Sequence, residues 1–132
     1  MSAACEAWRV ERTLKDGFRT KGIWVSSKLE IDVQELQAEI DAGRDLQIVD
    51  VREGWEYALA RLPGSILLPL PELGSRTSEL DASRPTVVYC HHGVRSMHAA
   101  LALASRGFAD VRSLRGGIHR WATEIDPSMP RY

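Results

Sequence analysis

The 132 residues are one ordinary domain's worth of chain, too few for two independently cored domains and a linker. With 44% hydrophobic and 27% charged residues, and ten Gly and six Pro spread along the chain, the composition is that of a soluble globular protein and argues against disorder, collagen and coiled coil. A formal net charge of −1 supplies no global pull onto nucleic acid or an anionic membrane, so neither is expected as a partner.

No apolar run has the length to span a bilayer, and Met1-Ser2-Ala3-Ala4-Cys5-Glu6 has neither a basic n-region nor an apolar h-region. A cytoplasmic protein is expected. The two cysteines, Cys5 and Cys90, make no disulfide framework and fit a reducing compartment.

Residues 1–28 read as a mildly basic tail or arm, in which Val10, Leu14 and Phe18 recur at helical spacing while Gly17 and Gly22 weaken any longer helix. From residue 29 the signals sharpen. Asp32 with Glu35 three positions on is a capping-box start, and Val33, Leu36 and Ile40 line one face of a helix that Gly43 ends. Leu46 to Val51 reads as a strand, and Arg52 to Ala60 has helical composition until Pro63-Gly64. Ser65 to Leu68 is a further apolar run closed by Pro69 and Pro71, with an ill-defined helical segment from Glu72 to Leu80. Thr86-Val87-Val88-Tyr89-Cys90 lacks polar alternation, as a strand covered on both faces should.

Ser96 to Arg106 carries Met97, Ala100, Leu101 and Ala104 at helical spacing, with Gly107 as the stop. Asp110 to Leu114 is a weaker strand, leading through Arg115-Gly116-Gly117 to a helix holding Ile118, Trp121 and Ile125. Strand and helix alternate with short connections. That order predicts an α/β fold with a central parallel sheet of about four to five strands flanked by helices, over residues 29–132. Ligands in such a fold sit beyond the carboxyl ends of the strands, which directs attention to Asp50, Arg52, Cys90–Ser96 and Arg115–Gly117.

Cys90-His91-His92-Gly93-Val94-Arg95-Ser96 joins the most buried-looking strand to a helix N-terminus. A tight loop with inward N–H groups is an anion nest, and the helix behind it adds the positive end of its dipole. Both favour a thiolate nucleophile at Cys90 over a merely space-filling cysteine. Arg95 is a fixed positive charge for an anionic substrate, or else the partner of a carboxylate. His91 and His92 are adjacent, so both facing one ion would demand an unusual loop, and no metal site is expected. His98 and His119 read as ordinary helix-surface or capping residues.

Three blocks together resemble the rhodanese (sulfurtransferase) family: Ile48-Val49-Asp50-Val51-Arg52-Glu53 with Glu56-Tyr57 and Pro63-Gly64; Val87 to Cys90 with Gly93, Arg95 and Ser96; and Leu114 to Ile118 with Trp121. The closing Asp126 to Tyr132 looks like the end of rhodanese domains appended to adenylating sulfur-carrier enzymes. The resemblance implies a rhodanese-like single-domain sulfurtransferase without a cofactor. Cys90 would carry sulfane sulfur as a persulfide, taken from thiosulfate or a persulfide donor and passed to a thiol, cyanide or a sulfur-carrier protein. His91, His92, Gly93, Val94, Arg95 and Ser96 would be its cradle, and Asp50 and Arg52 would support the loop or the substrate. Gly54 replaces a common Pro, and Ala60-Arg61-Leu62 stands where Gly-His-Ile often precedes Pro-Gly, which puts local packing in question.

Cell-cycle tyrosine phosphatases are similar in architecture, but their loop holds five residues between Cys and Arg. Here four separate Cys90 from Arg95, a ring better matched to one sulfur atom than to a phosphoryl group. A non-catalytic binding module is a second alternative, since fold alone does not establish activity. Redox sensing by Cys90, paired with Cys5, is a third.

Overall fold

A computed structural model describes residues 18–20, 23–25 and 29–132. Strands β1 (Phe18–Thr20) and β2 (Ile23–Val25) pair antiparallel as a two-stranded sheet, in the register Phe18 to Val25 and Thr20 to Ile23. The helix expected through Phe18 is corrected here: aromatic and β-branched residues dominate both segments and favour extended backbone. Val10 and Leu14 lie outside the described residues, as does Cys5.

The main sheet has five strands: β3 (Glu30–Ile31), β4 (Gln47–Asp50), β5 (Ile66–Leu67), β6 (Thr86–Tyr89) and β7 (Val111–Leu114). They lie in the order β3-β7-β6-β4-β5, and every neighbouring pair is parallel. Edge strand β3, two residues long, carries no periodicity for a sequence reading to detect. The helices are α1 (Val33–Asp41), α2 (Gly54–Leu59), α3 (Leu73–Arg76), α4 (Val94–Ala104) and α5 (Gly117–Glu124), with 3-10 turns at Leu70–Glu72 and Thr77–Glu79 on either side of α3. The α1 capping box forms as its sequence demands: the Glu35 N–H donates to Asp32 Oδ1 at 2.8 Å and the Asp32 N–H to Glu35 Oε1 at 3.0 Å.

Alternation along the central strands sorts side chains onto two faces. Val49, Val51, Val88 and Cys90 point to one side and pack with Leu73, Ala99, Ala100, Leu103 and Phe108. Ile48, Val87 and Tyr89 point to the other and pack with Val33, Leu36, Leu62, Ile118 and Trp121. Helix α4 therefore covers one face, while α1 and α5 cover the opposite one. Both unusual stretches are accommodated. Gly54 opens α2 with open space where a Cβ would stand, and Ala60 and Leu62 are buried in the core.

Topology places the site. From β4 the chain steps outward to β5 and then crosses back to β6 on the other side, so the carboxyl ends of β4 and β6 adjoin where the winding reverses. Asp50 stands in register with Tyr89, and the Val51 N–H donates to Tyr89 O at 3.1 Å, which brings Arg52 and Cys90 out at the same end.

Candidate active site

Cys90 leaves the end of β6 almost wholly buried, with a free thiol. The next three residues turn tightly, and Gly93 reaches φ +112°, a conformation that side chains other than glycine's rarely adopt. This turn starts α4 at Val94, two residues earlier than expected, so the helix N-terminus lies closer to the sulfur. The Gly93 N–H donates to Cys90 Sγ at 3.1 Å and the Ser96 N–H at 3.4 Å. The Cys90 thiol donates to Ser96 Oγ at 3.5 Å, while Ser96 Oγ bonds Gly93 O and the Ser113 hydroxyl, fixing its rotamer. The sulfur thus sits inside the loop it begins, facing its amides.

The outer wall of the loop is tied down by α5. Ile118 N–H donates to Cys90 O at 2.9 Å and His119 N–H to His91 O at 3.1 Å, so the loop carbonyls point away from the sulfur. A Cβ on Gly117 would lie 2.5 Å from both Cys90 O and the His91 carbonyl carbon. The Gly-Gly pair read from the sequence thus lets the two segments touch.

Arg95 is bidentate on Glu56, Nη1 to Oε1 at 2.9 Å and Nη2 to Oε2 at 3.1 Å. Of its two expected uses, a carboxylate partnership is observed, and that carboxylate is buried rather than superficial. The pairing engages two of the five N–H donors of a guanidinium and leaves three. The Arg95 side chain keeps 37% of its exposure, so a solvent-borne anion can reach it.

Glu56 was read only as part of a motif, and its role emerges from the fold. Its four acceptor sites take Arg95 twice, the Glu53 N–H at 3.0 Å and the Tyr132 hydroxyl at 2.7 Å. Burial opposes its ionisation, yet Arg95, the Glu53 amide and Tyr132 together hold the carboxyl down to about 2. Tyr132 in turn accepts from Arg52 Nη1 at 2.7 Å, and burial beside the Glu56 carboxylate pushes its phenol up to about 12.

Asp50 and Arg52 are fully buried and joined by three bonds from the guanidinium of 2.6 to 3.1 Å, and Arg52 Nη2 also donates to Ala60 O. They do not enter the cysteine loop. They connect to it through Tyr132 and Glu56, in a chain running Asp50, Arg52, Tyr132, Glu56, Arg95. Tyr132 also stacks on His91, with centroids 4.0 Å apart and planes 11° from parallel. The resemblance of the closing segment includes Tyr132, but no local pattern assigns its role, because its hydrogen-bond partners lie 76 and 80 positions away.

The remaining loop side chains form the rim. Val94 is 69% exposed, His92 is exposed and His91 is half-buried. His91 and His92 do not point apart as adjacent residues in extended backbone would: their rings lie 4.0 Å apart, and His119 from α5 joins them at 5.0 Å from His92.

Residues 32–124 match the Rhodanese-like domain family. Over 104 residues the chain is 38% identical to the probable adenylyltransferase/sulfurtransferase MoeZ of Mycobacterium tuberculosis, a match covering 77% of this chain and 26% of that protein. The chain therefore spans about a quarter of that relative's length. It is 35% identical over 97 residues to the thiosulfate sulfurtransferase GlpE of Shewanella oneidensis, covering 74% of this chain and 95% of GlpE. The crystal structure of a rhodanese-related protein from Thermoplasma volcanium superimposes with a TM-score of 0.64 at 29% identity, covering 73% of this chain and 92% of that one.

Proposed function

Because the chain belongs to the rhodanese-like domain family, we propose that it is a sulfurtransferase in which Cys90 carries sulfane sulfur as a persulfide. The observation that supports this most directly is the position of Cys90 Sγ, receiving the Gly93 and Ser96 amides inside a loop of only four residues before Arg95. Fixed N–H donors aimed at the sulfur stabilise negative charge there without reorganisation.

The reaction runs in two halves. The Cys90 thiolate attacks the outer sulfur of thiosulfate. An S–S bond forms to Cys90 as the S–S bond of thiosulfate breaks, and sulfite leaves with the electron pair. The terminal persulfide sulfur then carries the charge among the loop amides. An acceptor thiolate, or cyanide in an assay, attacks that sulfur and releases Cys90 as thiolate. Arg95, with its spare donors, attracts the sulfonate end of the donor, while Glu56 holds its guanidinium in place.

Residues 29–132 carry this activity, with residues 1–28 as an arm. A reducing compartment such as the cytoplasm suits a thiol that must stay free; among the described residues, no helix is long and apolar enough to cross a membrane. Exposed Val94, His92 and Trp55 are the surface that a larger acceptor, such as a sulfur-carrier protein, would meet.

The test is intact mass after incubation with thiosulfate. The wild-type chain should gain one sulfur atom, reversed by cyanide or a reductant, and turnover should be ping-pong. Cys90→Ser should gain none while keeping its circular dichroism. No sulfur on the wild-type chain from thiosulfate, mercaptopyruvate or a cysteine-desulfurase persulfide would leave a binding module instead.

A further inference from the structure

We propose that His91, His92 and His119 form a binding site for a borderline divalent metal ion, zinc foremost, on the rim of the cysteine loop. Each of the three imidazoles offers a nitrogen lying within 4.8 Å of those of the other two. A tetrahedral ion bound at about 2.0–2.1 Å holds such nitrogens about 3.4 Å apart. The remaining contraction falls to the two exposed members, His92 and His119. His91 is the fixed member. Tyr132 stacks on its ring, and its Nε2 is buried without a hydrogen-bond partner, an imidazole nitrogen whose acceptor or donor capacity is unused.

Two features of the fold create the cluster. The tight turn after Cys90 swings both adjacent imidazoles to one side, against the expectation that they diverge. Helix α5, held to the loop through His119 N–H and His91 O, then brings in the third from 28 positions away. Imidazole nitrogens without carboxylates suit zinc, copper or nickel and not calcium or magnesium. Three protein nitrogens leave one tetrahedral position for water or an external thiolate.

The site shares His91 and His92 with the rim of the cysteine loop, but none of its ligands is Cys90, so metal binding can be read independently of sulfur transfer. Its test uses the full tag-free chain, kept reduced, titrated with zinc by calorimetry and with cobalt by visible absorption. One ion per chain and the intense bands of tetrahedral cobalt are expected. His92→Ala and His119→Ala, both exposed positions with retained fold checked by circular dichroism, should each weaken binding by about 100-fold or more. Cys90→Ser should bind as the wild type does. Absence of stoichiometric binding, a histidine variant with wild-type affinity, or loss of the ion in Cys90→Ser would each overturn the proposal.

Discussion

Glu56 sets what Arg95 can do. A carboxylate saturated by four donors holds the guanidinium in one orientation, with one edge committed and the other available. Glu56→Gln keeps the shape but removes the charge and places an amide N–H against donors. Its expected effect is a rise in KM for thiosulfate of about tenfold, or about 1.4 kcal/mol of lost binding, with a smaller change in kcat. Steady-state kinetics with thiosulfate, set beside an uncharged organic trisulfide as donor, checks this; equal losses with both donors would remove the anion-orienting role. The relayed contact through Tyr132 explains why a residue at position 132 belongs to a loop that begins at position 90.

At the level of elements, the loop is shaped as much by α5 as by the strand and helix it connects. Carbonyls that accept from α5 cannot turn inward toward the sulfur, so the helix start enforces the polarity of the cradle. Gly117 makes that approach possible, at φ +62° and with backbone where a side chain would go. Gly117→Ala should cost at least the ~1–2 kcal/mol of left-handed backbone and should also force α5 off the loop. A fall in melting temperature together with slower persulfide formation is the expected result. Destabilisation with unchanged Cys90 reactivity would show that the loop holds its shape without the helix.

At the scale of the whole molecule, two buried ionic features among the described residues bear on stability. Asp50 and Arg52 are buried from solvent and mutually satisfied, so Arg52→Met strands a buried carboxylate at the end of β4. A loss of about 3–5 kcal/mol in denaturant unfolding is expected. The second feature is pH-dependent. The Glu56 carboxyl sits at about 2 in the fold against an ordinary 4.5, so the unfolded chain binds the proton more readily. Its stabilisation is complete above about pH 4.5 and is lost as pH falls toward 2, on the order of 3 kcal/mol. Melting curves across that range should show a steep acid limb for the wild type and a flatter one for Glu56→Gln.

Much of this was legible in one dimension because the signals are local. Apolar runs at β4 and β6, the Asp32 capping box, the helical stripes of α1 and α4, and the Cys90-to-Arg95 spacing all lie within about a dozen residues, where backbone propensity and side-chain period act. From those alone came the parallel sheet flanked by helices and the cysteine loop at a strand end. Beyond that reach, the sequence is silent. That β3 joins the sheet, that Arg95 meets Glu56, that Tyr132 closes a chain of hydrogen bonds back to Asp50, and that His119 arrives beside His91 and His92 were decided in three dimensions. These contacts join positions tens of residues apart, and which of many chemically equivalent arginines, tyrosines or histidines is used depends on where packing brings the strand ends and helix starts together.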